Sequence, residues 1–283
     1  EASLDQFKSA IREKEKKAKR KSISIRWGRY ATVAAAFLTG LVFAGGIAWG
    51  LLSNKLSDYE VITAAGQRAQ TVLPDGSKVW LNASSKIVYH NSLWSSDRQI
   101  DLSGEAYFEV ESDKEHPFIV KTKQLTVEAT GTAFNVNAYA PDHVAAVTLV
   151  KGKVAVTLDQ KKTISLSPGE KIDYNLGTAL YNVNKTNTYK WCSWKDGILI
   201  FRDDPLEYVF KRLGQTYNVE FILKDAELGK YSYKATFEGE SLNEILRLLE
   251  MSAPIRCKEV SNRNTNNEKF EKQRIEVSRI VGK

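Results

Sequence analysis

Gly131-Thr132 is the one dipeptide here whose residue types and placement allow chemistry on the backbone itself. A threonine hydroxyl can add to the carbonyl that precedes it. The new O–C bond replaces the C–N bond, the hydroxyl proton passes to the freed amine, and water then cleaves the ester. Such an acyl shift needs a strained peptide, which a glycine turn can hold. The same two residues, between strand-like Leu125–Thr130 and Phe134–Asn137, also read as a bend glycine followed by a strand threonine. Other chemistry is poorly supplied. His90, His116 and His143 are scattered without ligand spacing. Cys192 and Cys257 have no metal-type or redox-type neighbours. There is no phosphate-binding loop, dinucleotide fingerprint or nucleophile elbow, and no carboxylate pair stands out for acid–base work. The sequence reads as a non-enzyme, with no cofactor and no metal site, apart from a single-turnover self-cleavage at Gly131-Thr132.

Stepping outward, Tyr30 to Asn54 is an uncharged, mostly apolar run, long enough as a helix to cross a hydrocarbon core of about 30 Å. Ten basic residues and four acidic ones precede it, carrying +6 of the chain's net +7. By the positive-inside rule residues 1–29 stay in the cytoplasm and the rest faces outward. The run is longer than a signal-peptide core, ends in Trp49-Gly50-Leu51-Leu52, and has Trp27 and Tyr30 near its inner end, which favours an uncleaved anchor. Because the charge excess sits in the inner tail, nucleic-acid binding by the bulk of the chain is unsupported. Both cysteines fall outside the membrane on this topology. A bridge closing the 65-residue interval between them, worth about 4 kcal/mol, and two separately buried thiols both remain open.

Leu4 to Lys21 reads as a charged helix with a Glu13–Lys17 pair one turn apart. From Tyr59 to about Tyr181 the apolar period is two, and turn signals such as Pro74-Asp75-Gly76-Ser77, Lys151-Gly152 and Pro168-Gly169 punctuate it. Many short strands so spaced predict a β-sandwich or a β-solenoid. After Trp191 the pattern becomes βαβ–βαββ. Asp204-Pro205-Leu206-Glu207 and Ser241-Leu242-Asn243-Glu244 are each read as a capping box opening a helix. The expected organisation is a basic inner helix (1–29), a transmembrane helix (30–54), an all-β domain (57–182) and a small α+β domain (190–283), mainly β overall.

The turns themselves carry a resemblance. Leu73-Pro74-Asp75-Gly76-Ser77-Lys78-Val79-Trp80-Leu81, Leu102-Ser103-Gly104-Glu105-Ala106-Tyr107-Phe108, Gly131-Thr132-Ala133-Phe134-Asn135-Val136 and Leu166-Ser167-Pro168-Gly169-Glu170 occur in order. Together they resemble the FecR family of transmembrane anti-sigma factors. Trp194 to Met251 resembles the C-terminal domain that often follows.

The resemblance implies an inner-membrane protein with its N-terminus in the cytoplasm and its C-terminus in the periplasm. Its implied partners are an extracytoplasmic-function (ECF) sigma factor on the inner side and the signalling domain of a TonB-dependent outer-membrane receptor on the outer side. In several relatives proteolysis frees the inner fragment, and some cleave themselves at the Gly-Thr matching Gly131-Thr132. The family pattern also implies a β-solenoid-like twist in the middle domain and a secretin/TonB short N-terminal-like fold after it. Family members normally carry a longer helical sigma-binding domain before the anchor. Here that contact would fall to the Leu4–Lys21 helix, or the sequence lacks its beginning. For the receptor, strands Gly197–Phe201 and Tyr231–Phe237 are candidate edges for strand addition, with Ile198, Ile200, Tyr231 and Tyr233 as candidate contact residues. The alternative is an anchored glycan- or envelope-binding β protein using Trp80, Trp94 and Tyr107 as stacking platforms.

Overall fold

The computed structural model describes residues 7–17, 35–47, 58–90, 98–140, 142–159, 161–260 and 272–280. The chain divides into two compact units, Glu1–Lys55 and Leu56–Lys283. In the first, residues 7–17 (α1) and 35–47 (α2) are helical. Glu13 and Lys17 do pair, at 3.7 Å, but both are well exposed and so contribute little. On α2, Phe37, Leu38, Leu41, Val42, Phe43 and Ile47 are all exposed, by 58 to 73 %. No helix among the described residues is long and apolar enough to cross a membrane. The expected span, Tyr30 to Asn54, is described only over 35–47, and the remainder of it lies outside the described residues.

The second unit opens with β1 (Asp58–Ile62), β2 (Ala69–Val72), β3 (Lys78–Leu81), β4 (Lys86–His90), β5 (Arg98–Glu109), β6 (Phe118–Lys121) and β7 (Leu125–Ala129). It continues through β8 (Ala133–Ala138), β9 (Val144–Lys151), β10 (Val154–Leu158), β11 (Lys162–Leu166), β12 (Glu170–Asn175) and β13 (Tyr181–Lys185). These thirteen strands form one sheet curled over on itself. Layer A runs β1-β4-β5-β6-β7-β10-β11 and layer B runs β2-β3-β5-β8-β9-β12-β13.

The long strand β5 belongs to both layers. Its Arg98–Ser103 half pairs with β4 and β6, and its Gly104–Glu109 half pairs with β3 and β8. Gly104 is the point of transfer, at φ +102°, and a Cβ there would lie 2.4 Å from Ser85 Oγ. Only glycine allows that bend and that approach.

Inward residues from both layers meet in one core. Phe108 of layer B packs edge-on against Phe118 of layer A at 5.9 Å and stacks on Phe134 at 5.1 Å. The arrangement is therefore a two-layer sandwich, and the solenoid expectation is corrected. Stacked solenoid coils require parallel neighbours, whereas here β5–β6 is the one parallel pair among the described strands of this sheet. Period-two alternation is common to both architectures and could not separate them.

The rest of the unit begins with helix α3 (Thr188–Cys192) and a 3₁₀ turn, Ser193–Asp196. Strand β14 (Ile198–Pro205) pairs antiparallel with β16 (Ser232–Glu238), while β15 (Val219–Leu223), β18 (Gln273–Arg279) and β17 (Ile255–Val260) form a second small sheet in that order. Helices α4 (Leu206–Tyr217) and α5 (Leu242–Ser252) bury Leu206, Val209, Phe210, Leu213, Ile245 and Leu249.

The capping box at Ser241 forms with both reciprocal bonds. The one expected at Asp204 does not. Asp204 lies within β14, its carboxylate accepting from Arg202 N and from Lys190 Nζ at 2.7 Å, and Pro205 precedes α4 without a side-chain cap. A buried ion pair outcompetes the cap for that carboxylate. Cys192 and Cys257 are both free. Burial pushes each thiol up to about 12.

Candidate partner-docking site

The turns that carry the resemblance prove structural in the first instance. Asp75 Oδ1 accepts from Ser77 N at 2.9 Å, and its other oxygen accepts from Ser77 Oγ at 2.7 Å and from the buried Arg98 Nη1 at 3.1 Å. Arg98 also donates to the carbonyls of His116 and Glu111. One ion pair thus ties the β2–β3 turn to the loop after β5.

The outer face of layer B carries a second network. Glu105 Oε2 accepts from Asn82 Nδ2 and from Arg212 Nη1, each at 2.7 Å, and Oε1 accepts from Asn135 Nδ2 at 3.0 Å. Asn135 Oδ1 in turn accepts from Trp194 Nε1 at 3.0 Å. Glu105, Asn135 and Trp194 are at most 3 % exposed, and Arg212 is buried with them. The C-terminal helices therefore dock on the sandwich through a closed polar network, and every lone pair spent on it is matched. Sequence reading missed this junction. The one signal is a charged Arg212 beside the apolar stripe of α4, together with an acid inside the apolar run of β5.

The expected contact residues belong to the β14–β16 ribbon and the residue just before β16. Along β14, Leu199 and Phe201 point into the core, while Ile198 and Ile200 are half-buried on the opposite side. Both isoleucines line a groove of about 790 Å³, with Tyr189, Lys190, Arg202 and Thr236 also in its wall. Tyr233 packs against the C-terminal core, its hydroxyl 2.8 Å from Ser252 Oγ, and Tyr231 lies just before β16, its carbonyl accepting from Leu206 N at 2.9 Å. The structure thus brings Ile198 and Ile200 together in a groove that neither tyrosine lines. Among the described residues, β14 and β16 pair only with each other, so each leaves an unpaired edge, and β15 is a further edge strand. That third edge, with half-buried Phe221 and Leu223 beside a cavity of about 370 Å³, was not read from the sequence.

At the other candidate, Gly131 adopts φ +81° between β7 and β8, and a Cβ there would meet Ser112 at 2.8 Å. Thr132 is 3 % exposed, and its Oγ1 has no hydrogen-bond partner. The glycine is in a conformation other residues resist, and the adjacent hydroxyl is buried without a competing bond. Of the aromatic platforms, Tyr107 is 5 % exposed, and Trp80 meets it edge-on at 5.6 Å with Lys195 of the 3₁₀ turn over both rings; Trp94 lies outside the described residues. No cluster of metal-ligating side chains occurs among the described residues.

The fold and its two docked parts define a class. The FecR protein family matches residues 59–155, and the FecR, C-terminal family matches residues 198–266. Two crystal structures, each described as a "putative anti-sigma factor" from Parabacteroides distasonis ATCC 8503, superpose with TM-scores of 0.67 and 0.68 at 30 % identity. The alignments cover 77 and 79 % of this chain, and 98 and 99 % of theirs. No curated protein matches. The chain belongs to the FecR family.

Proposed function

We propose that the protein is an anti-sigma regulator of the inner membrane, relaying a signal from a TonB-dependent outer-membrane receptor to an ECF sigma factor in the cytoplasm. The observation that carries this reading is the 30 % identity to the anti-sigma factor structures across both parts of the second unit. An inner-membrane anchor is supported by α2, whose large apolar side chains face outward on a helix flanked by the basic segment before Tyr30. On this topology residues 57–182 form the periplasmic scaffold and 190–283 the receptor-contacting part.

The receptor would bind by adding a strand to an open edge of the β14–β16 ribbon, with Ile198 and Ile200 seated against it. Output would follow proteolysis that releases the inner segment. Gly131-Thr132 offers a self-cleavage step, supported by the left-handed glycine and the unpartnered threonine hydroxyl.

The test of output is co-purification. The full-length protein in detergent should retain a sigma factor encoded beside it, and failure to do so with the intact chain would end the assignment. For the docking surface, Ile200→Glu should abolish capture of the receptor's signalling domain while leaving the unfolding midpoint in place. For cleavage, Thr132→Ala should prevent any self-processing seen on a denaturing gel.

A further inference from the structure

Beside the Glu105 network, a cavity of about 400 Å³ separates the outer face of layer B from α3 and α4. That size falls in the range of about 300–1,000 Å³ typical of small-molecule pockets. Its floor comes from two adjacent cross-strand rows. Asn135, Thr148 and Lys171 stand side by side in one, and Asn137, Ala146 and Asp173 in the other. Trp191, Tyr208 and Lys211 form the opposite wall.

The carboxylates and the lysine ammonium groups lining this space are matched in pairs, and the exposed His143 stands at its rim. Glu105 is held by Arg212 at 2.7 Å, Asp142 by Lys211 at 2.6 Å, and Asp173 by Lys171. A charged ligand would find no unpaired carboxylate or lysine ammonium among the lining residues. By contrast, the Thr148 hydroxyl, the Asn137 amide and the Tyr208 hydroxyl all line the cavity and have no protein partner among the described residues. Each can both donate and accept. Thr148 is only 2 % exposed, a position where valine would fill the same space without placing a hydroxyl in the cavity wall. Tyr208 and Trp191 meet edge-on at 6.4 Å and add an apolar surface. Trp191 is fixed there by Lys171 and Lys190, whose ammonium groups stand 3.9 and 4.7 Å from its ring, and by its bond to Thr186.

We propose that this cavity binds a small, uncharged, hydroxyl-rich molecule, a monosaccharide or cyclic polyol, held by Thr148, Asn137 and Tyr208. Because the sandwich supplies one wall and α4 the other, an occupant bridges the two and stiffens their junction. This site is distinct from Trp80 and Tyr107, which pack with the C-terminal core beside Lys195.

The test uses the full-length protein in a detergent without a sugar head group. D-glucose, D-galactose and myo-inositol are compared with D-glucuronate and D-glucosamine by saturation-transfer NMR and calorimetry. At least one neutral probe should bind at millimolar concentration or below and raise the unfolding midpoint, and its charged counterpart should not. Thr148→Val and Tyr208→Phe should each weaken binding about tenfold, the loss of roughly one hydrogen bond. Ala146→Phe should fill the cavity and abolish binding. The proposal fails if no neutral probe binds, if the charged probes bind as well, or if Thr148→Val leaves the affinity unchanged.

Discussion

The outer faces of the two layers are alike in sequence and opposite in fate. On layer A, Asp101, Ser103, Lys121 and Glu128 alternate with buried apolar residues and stand in water. On layer B, Glu105, Asn135, Thr148 and Lys171 alternate in the same way, yet all four are buried beneath α3 and α4. A polar face left wet needs no partners. On the covered one a group sealed from water needs a partner, and the Glu105–Arg212–Asn82–Asn135–Trp194 network supplies partners for Glu105 and Asn135. The cavity marks where that covering stays incomplete. Covered polar surface is the price of a junction that is specific, since a purely apolar seam would tolerate many docking angles.

Substitutions on the two faces should therefore behave very differently. The largest effect is expected from Arg212→Met, which strands the buried Glu105 carboxylate and should cost about 3–5 kcal/mol in denaturant unfolding. The double variant Glu105→Gln/Arg212→Met should recover much of that loss, and equal losses in single and double variants would show that the pair is not the anchor. Next, Trp194→Phe removes the donor to Asn135 Oδ1 and should cost about 1–3 kcal/mol, read in the same way.

Ser241→Ala, at the N-cap of α5, should cost about 1 kcal/mol through the lost cap. The Ser241 hydroxyl and N–H hold the Glu244 carboxyl below its ordinary value. Its contribution is therefore present above the unfolded-state value and fades as pH falls through the folded one. The gap between wild type and Ser241→Ala should narrow in acid, as pH-dependent melts would report. The smallest change belongs to layer A: Glu128→Gln should shift stability by no more than about 0.5 kcal/mol. A larger loss there would mean that this face is covered too.

How far the chain could be read follows the same division. The strand alternation placed Val79, Phe108, Phe134 and Val136 inward, and the Ser241 cap was legible from local pattern, whereas the all-apolar run of β14 gave no sign of which face Ile198 and Ile200 would take. The Asp204 cap misled because Lys190, fourteen residues away, claims the carboxylate. Solenoid and sandwich were indistinguishable because both alternate with period two, and the transfer of β5 between layers at Gly104 depends on Ser85 lying against it. Tyr233 gave no sign of its bond to Ser252, and the β15 edge gave none of its being left unpaired.

By itself the sequence determined which side chains of each strand turn inward, where the chain must bend, and that a basic segment precedes an apolar one. These are local properties, fixed by backbone geometry and by the cost of wetting hydrocarbon. Which outward face is covered was decided only in three dimensions. Residue 105 meets residue 212 there, and a carboxylate in an alternating strand looks the same whether water or a guanidinium awaits it.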